Sequence, residues 1–164
     1  MARALIVGCG CRGREVGAAL LAAGWQVRGT TRDPARVAEI ERAGIEGVLA
    51  DPNLVATVHE QIDGVTLVFW LLGSASGDGE AIAAVHGSRL ERLLEKLVDT
   101  PVRGLVYEAS GTVAADRLEH GARVVRAASE RWRIPVAVVE AGGVDWRGWR
   151  EQMVAAANRL LGLS

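Results

Sequence analysis

The chain predicts an α/β fold: a doubly wound, six-stranded parallel sheet in strand order 3-2-1-4-5-6, with helices on both faces. Three observations carry this. Short apolar runs alternate with helical patterns from end to end. Several of these runs are almost continuously apolar, as strands buried on both faces must be. The first run breaks into a glycine-rich turn that opens straight into a helical pattern.

The elements follow in order. A first strand, Ala4–Val7, meets the turn Gly8-x-Gly10-x-x-Gly13, and a helix over Arg14–Ala23 stops at Gly24. The second strand is Gln26–Thr30. Asp33 is placed to cap a helix over Pro34–Ala43, with Pro34 in its first turn and Gly44 at its end. Gly47–Ala50 forms the third strand and Leu54–Ile62 the next helix. Thr66–Leu72 is the fourth strand. The stretch Gly73-Ser-Ala-Ser-Gly-Asp-Gly79 then leads into one helix over Glu80–Leu97. There Ile82, Val85, Leu90, Leu93, Leu94 and Leu97 share an apolar face. Gly104–Glu108 and Val136–Glu140 are strands five and six, separated by a helix over Ala114–Arg131. A last helix, Trp146–Leu161, has Trp146, Trp149, Met153 and Leu160 in an apolar stripe assigned to the core. Right-handed crossovers put the ligand crevice at the carboxyl ends of strands one and four. The 73–79 stretch lies on that edge, either as a plain connection or as a flap over a ligand.

Composition narrows the function classes. A length of 164 residues suits a single domain over 1–164 with no separate substrate domain. A formal net charge of −1 argues against a nucleic-acid partner. With no signal-peptide pattern and no apolar run of about 20 residues, a membrane partner is not expected and the location is expected to be cytoplasmic. Cys9 and Cys11 both fall in the glycine turn, too close for a structural disulfide. They share no ligand spacing with His59, His86 or His120, so no metal site is expected.

The glycine turn is the dinucleotide-binding fingerprint in its proper setting, between a strand and a helix. Gly8 permits the tight turn, Gly10 lets a pyrophosphate approach the backbone, and Gly13 lets the helix pack on the sheet. The helix N-terminus offers free N–H groups to phosphates. The end of strand two, Gly29-Thr30-Thr31-Arg32-Asp33, selects the nucleotide. A carboxylate there would hold the ribose 2′-hydroxyl of NAD, whereas an arginine would meet the 2′-phosphate of NADP. Thr30, Thr31 and Arg32 favour NADP. Asp33 keeps NAD as the alternative, although it is better placed as a helix cap. Gly8, Gly10, Cys11, Arg12 and Gly13 in the turn, with Leu72 and Gly73 at the end of strand four, complete this cofactor site.

These motifs resemble the atypical extended short-chain dehydrogenase/reductases of the NAD-dependent epimerase/dehydratase type, in their nucleotide-binding half. The match rests on Ile6-Val7-Gly8-Cys9-Gly10-Cys11-Arg12-Gly13-Arg14 and on Gly29-Thr30-Thr31-Arg32. Weaker matches are Ala50-Asp51, Gly87-Ser88-Arg89-Leu90, Leu105 to Ser110 and Ile134-Pro135-Val136. The resemblance implies that Asp51 contacts adenine and that Ser110 orients a carbonyl substrate. It also implies a homodimer built on the helix over Glu80–Leu97.

The departures shape the functional expectation. The family's proton relay is a Tyr-x-x-x-Lys pair. This chain has one tyrosine, Tyr107, and one lysine, Lys96, in the wrong order and 11 positions apart. The expected function is therefore a dinucleotide-binding or sensing module that prefers NADP(H). One alternative is a minimal NADP-dependent oxidoreductase or epimerase-like enzyme in which Ser110 or Glu108 replaces the tyrosine. Another is a domain of this fold that has lost its nucleotide. Glu140 and Asp145 read as a strand-end charge and a helix cap, and His86 as a packed histidine.

Overall fold

The computed structural model describes residues 1–140 and 145–163. Its strands are β1 (Arg3–Val7), β2 (Gln26–Thr31), β3 (Glu46–Leu49), β4 (Leu67–Trp70), β5 (Gly104–Glu108) and β6 (Val136–Val139). They form one six-stranded sheet in the order β3-β2-β1-β4-β5-β6, with every neighbouring pair parallel. This is the predicted Rossmann-like topology.

Side-chain alternation along the strands builds two cores. Leu5 and Val7 of β1, Val68 and Trp70 of β4, and Leu105 and Tyr107 of β5 point to one face. There they meet α3 (Val55–His59), α4 (Gly79–Val85), α5 (Ser88–Leu97) and α6 (Ala115–Trp132). Ala4, Ile6, Leu67, Phe69 and Val106 point to the other, under α1 (Cys11–Ala22), α2 (Val37–Arg42) and α7 (Trp146–Leu160). Every one of these strand residues is fully buried. The predicted stripe on α7 divides: Trp149 and Met153 are core, whereas Trp146 is exposed with the Arg150 guanidinium over its ring. On α5, Leu90, Leu93, Leu94 and Leu97 are all buried. Leu93→Ala should cost about 2–5 kcal/mol of stability, read from the urea midpoint at unchanged slope.

Two elements differ from expectation. The single helix over Glu80–Leu97 is two helices, broken at His86 and Gly87. The Trp70 indole N–H donates to the Val85 carbonyl at 2.9 Å, taking an acceptor that would serve the next helical turn. His86 turns inward to bond Tyr107 and Leu72, and Gly87 takes a non-helical conformation. The helix over Pro34–Ala43 begins instead as a 3-10 turn, Pro34–Arg36, with Asp33 Oδ1 accepting from the Ala35 N–H at 3.0 Å. The capping role read for Asp33 is thus present, on a tighter turn.

Candidate functional site

The site starts from the turn after β1. Gly8 has φ +90°, and a Cβ added there would lie 2.5 Å from the Leu71 carbonyl oxygen. At Gly13 an added Cβ would lie 2.7 Å from the Gly8 oxygen. Gly10 is different: a Cβ there would meet nothing within 4 Å, so its backbone faces open space. Two glycines are closed by the fold and the middle one is open, which suits a ligand lying on the loop. The buried Thr30 clamps the turn from β2. Its hydroxyl accepts from the Gly8 N–H at 3.3 Å, and its carbonyl accepts from the Cys9 N–H at 3.0 Å. From Cys11 the chain is helical, so the first N–H groups of α1 have no intrahelical acceptor and are available to an anion.

Above the loop is a cleft of about 880 Å³, within the range of small-molecule and cofactor sites. It runs from Arg32 and Arg36 at the end of β2, across the glycine turn, to Ser74, Ile82, Val85 and Glu108. Of the predicted residues, Gly8, Gly10, Cys11, Arg12, Gly13, Thr30, Thr31, Arg32 and Leu72 line it. Asp51 and Gly73 do not. The Asp51 carboxylate accepts from the Asn53 N–H at 2.9 Å, and Gly73 donates its N–H to Glu108. Sequence reasoning missed Arg36, Asn53, Ala81 and Ile82. Arg36 had a signal, because its place three residues after Asp33 brings it back to the same edge.

The β2 end is cationic. Arg32 is exposed and forms no ion pair among the described residues. Asp33 already has partners: one oxygen caps the 3-10 turn and the other lies 3.8 Å from Arg36. The Thr31 hydroxyl accepts from the Asp33 N–H at 3.1 Å.

The far end is built on a carboxyl group. Glu108 ends β5 and is 2% exposed. Its Oε1 accepts from the Gly73 N–H at 2.8 Å, while its Oε2 has no hydrogen-bond partner. Arg12 stands 3.6 Å from Oε2, with its guanidinium stacked 4.3 Å above the Trp149 ring and 3.4 Å from the Ser74 hydroxyl. Burial pushes the Glu108 carboxyl above the usual range, against the opposing pull of Arg12 and the Gly73 N–H. The other catalytic candidate, Ser110, is not among the cleft-lining residues, and its buried hydroxyl oxygen has no partner. The 73–79 stretch is pinned at its start. Gly73 O accepts from the Val113 N–H at 2.9 Å, and the Ser74 hydroxyl accepts from the Thr112 N–H at 3.2 Å.

Beneath this end, His86 Nε2 donates to the Leu72 carbonyl at 2.9 Å, since a carbonyl can only accept. In the neutral ring Nδ1 then accepts the Tyr107 hydroxyl proton at 2.6 Å. The chain's one tyrosine is thus committed to the core, with burial first and the Glu108 charge second raising its pKa. Burial lowers the His86 pKa, with Arg117 adding to the effect and the Leu72 carbonyl opposing it. The unfolded chain therefore takes up a proton near pH ~6.5 that the folded chain refuses. Stability contributed by His86 is full above that pH and falls as the solution is acidified toward its folded pKa. Chemical denaturation of wild type and His86→Gln between pH 7 and 5 should give a steeper loss for wild type.

Both cysteines are free. Burial raises the Cys9 thiol to about 12, with Arg14 opposing, so Cys9 is a packing residue, while Cys11 is exposed. Among the described residues no cluster of His, Cys, Asp and Glu is placed to hold a metal ion, and no helix is long and apolar enough to cross a membrane. Asp145 caps α7, accepting from the Gly148 N–H at 2.8 Å, and Glu140 is exposed.

The sequence profile of the NAD(P)H-binding family matches residues 8–147. No curated protein matches the chain in sequence. Among solved structures, UDP-glucuronic acid 4-epimerase from Bacillus cereus in complex with NAD is 13% identical, with a TM-score of 0.64 over 84% of this chain and 56% of that one. Vestitone reductase from alfalfa is 18% identical, with a TM-score of 0.65 over 84% of this chain and 56% of that one. UDP-glucose 4-epimerase from Thermotoga maritima is 12% identical, with a TM-score of 0.67 over 84% of this chain and 54% of that one. At these identities the likeness is one of fold, and the chain spans about half the length of these structures.

Proposed function

The chain belongs to the NAD(P)H-binding family, and we propose on that footing that it is a dinucleotide-binding module preferring NADP(H), without the Tyr-x-x-x-Lys relay. The observation that carries the preference is at the end of β2. Arg32 is exposed and unpaired at the cleft edge among the described residues, with Arg36 lining the same cleft, while the nearby carboxylate, Asp33, is engaged in capping. An arginine guanidinium can meet a 2′-phosphate with two parallel N–H bonds, and both of these arginines line the cleft. A ribose 2′-hydroxyl needs a free carboxylate, and Asp33 offers little of one.

The residues fit the rest of such a cofactor. The open Gly10 and the first N–H groups of α1 would take the pyrophosphate. Leu72, Ile82 and Val85 give an apolar wall to the opposite end. A bound nicotinamide supplies hydride transfer; the chain's own residues bind it, orient it and shield it from water.

Melting curves with NADPH, NADP, NADH and NAD test the reading. A ligand at a hundredfold its Kd stabilises by roughly 2.7 kcal/mol, so NADPH and NADP should raise Tm by several degrees and the other two by less. No shift with any of the four would remove the proposal.

A second reading is favoured by one observation, the buried Glu108 carboxyl at the cleft wall. It is a minimal oxidoreductase in which Glu108 stands in for the tyrosine. NADPH consumption across a panel of small carbonyl compounds, abolished by Glu108→Gln, would support it over the binding module.

A further inference from the structure

Glu108 Oε2 is a buried acceptor in a cleft wall that no donor of the described chain satisfies. Such an atom in a folded protein calls for a specific reason, because leaving it unpaired is costly. Arg12 does not supply the bond. Its nearest nitrogen is 3.6 Å away, and its guanidinium is held by the Trp149 ring and oriented toward Ser74. Arg12 balances the charge of Glu108 across the cleft without filling the lone pair.

Position says which part of a ligand comes here. The ends of β2 and β5 are separated by β1 and β4, three strand spacings, or roughly 14 Å. A dinucleotide lying on the glycine turn with its 2′-phosphate at Arg32 extends its other end toward β5. That end carries hydrogen-bond donors, the carboxamide N–H₂ and the ribose hydroxyls, and lacks a negative charge that would repel a carboxylate.

Resting on the proposed NADP(H) reading, we infer that Glu108 is the anchor for the nicotinamide half of the cofactor, its Oε2 accepting a hydrogen bond from that half. Arg12 keeps its place on the Trp149 ring, 3.6 Å from this oxygen. The Gly73 N–H sets the orientation, because it requires an acceptor at Oε1 and so leaves Oε2 as the oxygen with no hydrogen bond. Glu108 is in this sense a positioning and specificity residue, with no bond made or broken at it.

The orientation makes the test sharp. In Glu108→Gln the Gly73 N–H keeps the amide oxygen at the Oε1 place, so an NH₂ group replaces Oε2 and meets the ligand donor head-on. The test titrates wild type and variant with NADPH, with 2′-phospho-ADP-ribose and with 2′,5′-ADP. NADPH should weaken by about tenfold or more in the variant, while 2′,5′-ADP, which lacks the nicotinamide half, should be unchanged. A loss for NADPH alone identifies the carboxamide as donor; a parallel loss for 2′-phospho-ADP-ribose identifies the ribose. Glu108→Asp, which withdraws both oxygens by one methylene, should show the same selective loss and serves if the glutamine variant does not fold. Unchanged NADPH affinity in both variants, or an equal loss for 2′,5′-ADP, overturns the assignment. Failure of all three ligands to bind wild type overturns the NADP(H) reading, and this inference with it.

Discussion

Gly73→Ala is expected to destabilise the protein by about 3 kcal/mol or more. A Cβ at this position would lie 1.8 Å from the Ser110 carbonyl oxygen and 2.6 Å from Glu108 Oε1. Neither neighbour yields cheaply. Ser110 O is backbone, and the Glu108 carboxyl is fixed by the Gly73 N–H itself. The alanine methyl would have to part the ends of β4 and β5, where the cleft wall is made. Urea unfolding should show a much lower midpoint, and the surviving folded fraction should bind dinucleotide poorly. Gly10→Ala provides the contrast. Nothing lies within 4 Å of that Cβ, so its stability change should stay within about 1 kcal/mol. Its effect should fall on binding, because the methyl occupies the space into which a pyrophosphate would settle. A strongly destabilised Gly10→Ala with intact affinity would contradict the assignment of that space.

Arg32→Ala is expected to weaken NADPH by roughly 10- to 100-fold while NADH changes by no more than about twofold. The side chain is exposed and makes no ion pair among the described residues, so its removal should leave Tm of the ligand-free protein nearly unchanged. The loss reads the charge-assisted bonds to the 2′-phosphate directly. Arg36→Ala should give a smaller loss of the same kind, since Arg36 divides its charge with Asp33 at 3.8 Å. Equal losses for NADPH and NADH would place Arg32 on a part common to both nucleotides.

Much of this arrangement is legible in the residues because it depends on short-range rules. Apolar runs set the strands, and Gly8, Gly10 and Gly13 set the turn. Asp33 and Asp145 set caps. The strand order then follows from crossover handedness and from the single break in winding between β3 and β4. What the sequence hides are contacts between distant segments. The break at His86 and Gly87 depends on Trp70 and Tyr107, residues on two other strands, and helical periodicity through Val85 and Leu90 continues across it unmarked. Thr30 reads as a phosphate ligand at a strand end, yet the parallel register of β1 and β2 aims its hydroxyl at the Gly8 N–H. Asp51 similarly turns to its own loop. Glu108 reads as one charge at the end of an apolar strand. Only the approach of Gly73 and Arg12, 35 and 96 positions away, reveals one satisfied oxygen and one with no hydrogen bond among the described residues.

Titration calorimetry of the wild-type chain with NADPH and with NADH tests the central claim most directly. A single site that takes NADPH at least tenfold more tightly than NADH is the expected result. Binding of neither nucleotide, or binding of NADH as tight as that of NADPH, would contradict it.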